Sequence, residues 1–170
     1  MDALAGDAAL LVLRAAVGAV FVAHGWNHIW GGGRIDGTTR WFASLGMRPP
    51  RLHAWLASVT ELVAGAMLVV GVATPLAAAA VIGIMLVAWV TNHAGNGFFI
   101  FRPGEGWEYV MTLTACGVAL AGVGAGAWSL DGLLGWFQPP GWGGALVGVG
   151  AGVVGAAGLL AVAWRPDRGT

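Results

Sequence analysis

The chain has no lysine, a single cysteine and few charges of either sign. Charged residues make up 9% of its 170 residues, against about a quarter in an ordinary soluble domain. Eight acids balance eight arginines, and a net charge of zero argues against a nucleic-acid binder. Cys116 is the only cysteine. That excludes an intramolecular disulfide, Cys-x-x-Cys redox chemistry, a Cys-ligated iron–sulfur cluster and a zinc ribbon. Any redox role therefore needs a bound cofactor. There is no dinucleotide-binding loop and no P-loop. The start, Met1-Asp2-Ala3, is acidic where a signal peptide would be basic, so the first apolar run is expected to be retained.

What the chain does have is apolar length. Hydrophobic residues make up 58% of it. Runs over 8–30, 52–73, 76–93, 109–128 and 142–164 are close to the ~20 residues that cross a bilayer core. The expectation is one all-α integral membrane domain over 1–170. Thirty glycines without a Gly-X-Y period exclude collagen and suggest close helix packing. Between the first two runs, Trp41, Phe42 and Leu45 form an apolar edge flanked by arginine. This predicts a short interfacial helix over 38–47, ended by Pro49-Pro50. Trp128, Trp136 and Phe137, near Pro139-Pro140, suit an aromatic belt.

The polar residues inside these runs are the functional candidates, because ionisable groups in hydrocarbon are costly. The first run ends in His24-Gly25-Trp26-Asn27-His28, just before Gly31-Gly32-Gly33. His24 and His28 are four apart and share a helical face. Arg14, Gly18, Phe21, Gly25 and His28 form one stripe. Arg14 either snorkels to the nearer surface or pairs inward. In the second run Ala54, Ala57, Ser58, Glu61 and Gly65 form a small-residue stripe. Glu61 is then either a neutral, hydrogen-bonded acid, or a proton acceptor or a partner to Arg14 or His24. The third run ends in Trp89, Asn92 and His93, at the membrane face of His24 and His28. Glu105 and Glu108 suit a helix N-terminus. Glu108 also begins a stripe through Thr112, Ala115, Ala119, Gly122 and Gly126 that is expected to face the bundle. Gly144, Gly148 and Gly152 are a packing signal, either inside the bundle or between two copies of the chain.

Five crossings place the termini on opposite sides. Arg34, Arg40, Arg48, Arg51, Arg102, Arg165 and Arg168 fall on one side. The positive-inside rule makes that side cytoplasmic, with the N-terminus outside, the C-terminus cytoplasmic and the histidines near the cytoplasmic face.

The pattern resembles the DoxX family of small bacterial integral membrane proteins. The features that carry the resemblance run in order over roughly 8–128. They are Leu13-Arg14, then a glycine, Phe21 and His24-Gly25; Glu61 with Gly65 and Gly71; Thr74-Pro75; Asn96-Gly97-Phe98-Phe99; and Gly106-Trp107-Glu108-Tyr109. The resemblance implies a four-helix membrane bundle in the plasma membrane. The run at 142–164 would be an additional C-terminal transmembrane helix, an added packing or partner surface. The resemblance also implies a link to quinone-dependent oxidoreductases, including a thiosulfate:quinone type, or to membrane complexes that handle oxidative stress. Carried over residue by residue, it points to Arg14, His24, Glu61, Asn96 and Glu108. His28 stands where the family often has lysine.

A quinone site needs an apolar slot, donors for the ring carbonyls and a group that moves protons, a task histidine suits near neutral pH. His24 and His93, with Glu61 or Glu108 as proton partner, are the expected catalytic set. Trp26 or Trp89 would form the walls, with Arg14, His28 and Asn96 contributing to binding. Haem held by His24 or His28 together with His93 is a rival. A metal on His24, His28 and Glu108 has suitable ligand types but no specific spacing motif. The non-enzymatic alternative is a membrane anchor or assembly subunit, its polar cluster a structural network. Expected partners are membrane lipid, an oxidoreductase subunit and a second copy through Gly144, Gly148 and Gly152.

Overall fold

The computed structural model describes residues 3–136 and 141–166. Phe137, Pro139-Pro140, Arg168 and the Met1-Asp2 start lie outside the described residues. Among the described residues there is no strand, only an isolated bridge between Met47 and Trp164. The helices are α1 (Ala3–Trp30), α2 (Arg34–Ser44), α3 (Pro50–Val70), α4 (Thr74–Ala88), α5 (Glu108–Val123), α6 (Leu130–Leu134) and α7 (Trp142–Ala163). A π-helical turn, Trp89–His93, extends α4. Among the described residues, four helices are long and apolar enough to cross a membrane: α1, α3, α4 with its π turn, and α7. The protein is an all-helical, multi-pass membrane bundle.

The fourth apolar run differs from its expectation. It stops as a helix at Val123, capped by Gly124, instead of reaching residue 128. Its 16 residues rise about 24 Å, short of an about 30 Å hydrocarbon core. It nevertheless runs between the two ends of the bundle. Tyr109 at its start meets His24, near the C-terminal end of α1. Just beyond its end, the amide of Ala127 donates to Asp7, near the N-terminal end of α1. The interfacial helix begins at Arg34, four residues before the expected start, and it ends before the prolines. Pro50 instead opens α3.

The stripes predicted on α1 and α3 meet in a close helix contact. An added Cβ on Gly18 would stand 2.6 Å from the Gly65 carbonyl, and one on Gly65 2.6 Å from the Gly18 carbonyl. Only glycine permits that approach. On α5 the prediction fails. Val110, Leu113, Gly117, Leu120 and Ala121 face inward, while Thr112, Ala115 and Ala119 face out. Small residues occur on both faces of this helix, so their spacing does not choose between them. Gly144, Gly148 and Gly152 of α7 serve the bundle rather than a free surface. A Cβ on Gly144 or Gly148 would collide with Ala121, and one on Gly152 with Ala79 and Ile82. The expected second copy through these three glycines therefore finds them already covered by α4 and α5.

The two ends of the bundle are built differently. At the end holding the N-terminus of α1, Arg14 is 1% exposed and donates to the carbonyls of Leu68, Val69 and Trp128. It thereby caps carbonyls that helix α3 leaves free. Gly71, at φ 73°, turns the chain there, and a Cβ on it would lie 2.9 Å from the Arg14 guanidinium. Asp131 accepts from the amides of Ala73 (2.7 Å) and Thr74 (2.8 Å) and so caps α4. At the other end, α7 is sewn to the α2–α3 connection. Trp164 Nε1 donates to Leu45 O (2.9 Å), and the Arg165 amide donates to Gly46 O (2.8 Å).

Candidate functional site

At that second end lies a cavity of about 440 Å³. Its floor is α4, where Ala79, Ala80 and Gly83 leave room. Its sides are α3, through Leu56, Ala57 and Thr60, and α7, through Ala151, Gly155 and Leu159. Helix α7 packs on α4 and α5 but not along α3, which leaves a slot between the two sides. Trp41 and Phe42 of α2, with Leu45 just after it, line its end. All four histidines of the chain line this one cavity.

Each histidine is placed by a local device. Helix α1 presents His24 and His28 one turn apart. Thr38 of α2 donates to the His28 carbonyl (2.8 Å), fixing α2 over that turn. Helix α3 presents His53 and Glu61 two turns apart, with Ala57 between them. The π turn reorients the last residues of α4, a distortion frequent at functional sites, and brings in His93. The His93 Nδ1–H donates to the Glu105 carbonyl (2.8 Å), since a carbonyl can only accept. Nε2 is then the acceptor that faces the Asn92 amide at 3.3 Å. His53 is the reverse tautomer: Nε2–H donates to Arg48 O (3.1 Å), and its buried Nδ1 has no hydrogen-bond partner.

Glu61 is 4% exposed, deep in the head of the cavity. Its Oε2 lies 3.0 Å from Nδ1 of His28. The ring N–H does not point along that line, so the contact is electrostatic and both atoms lack a hydrogen bond. The Tyr109 hydroxyl stands 3.2 Å from Nε2 of His24, with the two rings stacked. The nitrogen or carboxylate ligand atoms of His24, His28 and Glu61 all lie within 4.8 Å of one another.

The structure brings together four of the sequence-predicted site residues: His24, His28, Glu61 and His93. It separates the others. Arg14 sits ten residues, about 15 Å of helix, from His24, and its partners are backbone carbonyls, so it pairs neither with Glu61 nor with a ligand of this cavity. Glu108 accepts from the Ile100 amide (2.9 Å) and does not line the cavity; Glu105 lines it instead. Trp26 is 57% exposed and packs on Trp30, while Trp89 stacks on Trp107. Neither is a wall. Trp41, Phe42 and Tyr109 are the aromatic lining. Asn96 clamps the loop after α4 through the carbonyls of Asn92 (2.8 Å) and Glu105 (3.3 Å). Sequence reasoning missed His53, Thr60 and Tyr109. The available signal was His53, Ala57 and Glu61 at i, i+4 and i+8, one face of one helix.

These features define the class: a multi-pass helical membrane protein with a slot that is apolar along its length and polar at its head. The DoxX family model matches residues 9–94, just over half of the chain, and the chain belongs to the DoxX family. The matched span holds all four histidines and Glu61. Tyr109, Glu105 and α7 lie beyond it, so the cavity is completed by parts the family match does not cover. No curated protein and no solved structure matches the chain.

Proposed function

We propose that this small membrane protein is a component of a quinone-linked oxidoreductase system and takes the quinone in the cavity. The observation that supports this is the division of the cavity. An apolar slot of small residues suits a tail and ring, and a head bearing four histidines and a buried carboxylate suits the ring carbonyls. The residues present fit such a group. Two buried atoms at the head, Glu61 Oε2 and His53 Nδ1, still lack hydrogen-bond partners, which is costly unless something supplies them. When bound, a quinone carries two electrons with two protons. The residues position it and handle the protons. Tyr109 and Asn92 donate hydrogen bonds, Trp41 and Phe42 cover the ring, and Glu61 with His28 exchanges protons with it. The electrons come from a partner oxidoreductase subunit. Haem is the weaker fit, because His93 already engages both ring nitrogens. In this reading the arginine-rich end is cytoplasmic in the bacterial plasma membrane.

A second reading, a non-catalytic anchor or assembly subunit, draws support from Arg14, Asn96 and Glu108, which spend their bonds on backbone. One experiment separates the two. Gently purified protein is assayed for co-purifying quinone by mass spectrometry and titrated with a short-chain quinone while tryptophan fluorescence is followed. The expected result is saturable quenching, abolished in Gly83→Phe, which fills the slot. A Cβ at Gly83 meets nothing closer than the Gly152 carbonyl at 3.4 Å. No quinone and no quenching would leave the anchor reading standing alone.

A further inference from the structure

We infer that His24, His28 and Glu61 form a binding site for one divalent transition metal ion of the zinc or ferrous-iron class. The three side chains come from two helices locked together by the Gly18–Gly65 contact, so the separation of the two helices is set by the fold. Their ligand atoms already lie within 4.8 Å of one another, and the His28–Glu61 pair within 3.0 Å. Ligands each about 2.1 Å from a shared zinc ion stand about 3.4 Å apart, so small side-chain rotations complete the set.

The second, independent observation is at the centre of the cluster. Oε2 of Glu61 and Nδ1 of His28 face each other across 3.0 Å, both buried, and neither makes a hydrogen bond. A carboxylate oxygen and an imidazole nitrogen left this way are expensive inside a membrane bundle. A cation between them satisfies both lone pairs. The donor set, two imidazoles and one carboxylate without sulfur, suits zinc, iron, cobalt or manganese and disfavours calcium, which takes six to eight oxygens. Three protein ligands leave coordination positions open toward the cavity, as catalytic rather than structural sites do. The Tyr109 hydroxyl, 3.2 Å from Nε2 of His24, orients that ring as an outer partner does for a ligating histidine.

The site does not rest on the quinone reading. It is tested on chelator-treated, quinone-free protein in mild detergent, titrated with Co²⁺ and followed by visible absorption, then challenged with Zn²⁺. The expected result is one Co²⁺ per chain with d–d bands, displaced by Zn²⁺. Glu61→Gln and His28→Asn should each weaken Co²⁺ binding by about tenfold or more, while Glu108→Gln leaves it unchanged. Helical circular dichroism and size-exclusion elution report folding. Should Glu61→Gln not fold, His24→Ala at the exposed corner makes the same comparison. Absence of Co²⁺ bands in the wild type, or unchanged affinity in folded Glu61→Gln or His24→Ala, overturns the inference. Quinone binding is read separately on the wild type, so failure of the metal site and failure of the quinone reading are distinguishable.

Discussion

The two ends of this bundle both hold ionisable groups in an apolar protein, and they treat them in opposite ways. At one end Arg14 and Asp131 are almost spent: three backbone carbonyls and two backbone amides take up their bonds, with Nε of Arg14 left over. At the other end Glu61, His28 and His53 sit around a cavity with key atoms that make no hydrogen bond. Burial alone therefore does not mark a site. A buried charge bonded to helix ends is a structural fastener, whereas one held beside empty volume with its lone pairs uncommitted is available to a ligand.

The contrast predicts different losses at the two ends. Arg14→Met should have the largest effect, about 3–5 kcal/mol of stability. It uncovers carbonyls at the end of α3 and removes the positive charge near Asp131. Thermal unfolding in detergent reads it, and an unchanged midpoint would break the fastener interpretation. Gly71→Ala should cost about 1–3 kcal/mol, because its Cβ would stand 2.5 Å from Ser129 Cβ at a left-handed backbone position. The same unfolding measurement applies, with quinone affinity retained in the folded fraction. Glu61→Gln should behave in reverse. Stability stays within about 1 kcal/mol, since the carboxylate makes no hydrogen bond to lose through Oε2. Quinone affinity falls about tenfold, which is about 1.4 kcal/mol. A large stability loss with normal affinity would move Glu61 to the fastener class. Asn96→Ala should cost about 1 kcal/mol, visible as faster hydrogen exchange confined to the loop after α4. Trp26→Leu should change stability by no more than about 0.5 kcal/mol and leave quinone titration as it was, because its ring packs outward on Trp30.

How much of this was legible in the chain varied with the kind of signal. Long apolar runs and the α1 and α3 stripes were readable because helical period and membrane cost act locally along the sequence. The small-residue stripe with Gly65 predicted a close helix approach without naming the partner, and the structure supplies Gly18 of α1. The α5 face was misread because small residues lie on both its sides, and only its neighbours decide which side is covered. Glu108 was chosen over Glu105 for a similar reason: a helix-start glutamate looks the same whether it turns to the cavity or back to the Ile100 amide. His53 was overlooked because it precedes the deepest part of its run, although it shares a face with Glu61.

Composition and periodicity by themselves determined that this is a helical membrane protein with small-residue stripes on α1 and α3, and that His24, His28, Glu61 and His93 are its unusual residues. These follow from free-energy costs each segment carries alone; the ordered motifs added the resemblance to the DoxX family. The tertiary structure alone decided that Arg14 belongs to the opposite end from Glu61, that α2 and α7 enclose a cavity, and that Glu61 meets His28. Those outcomes depend on which helix ends fall side by side, and no local pattern encodes that.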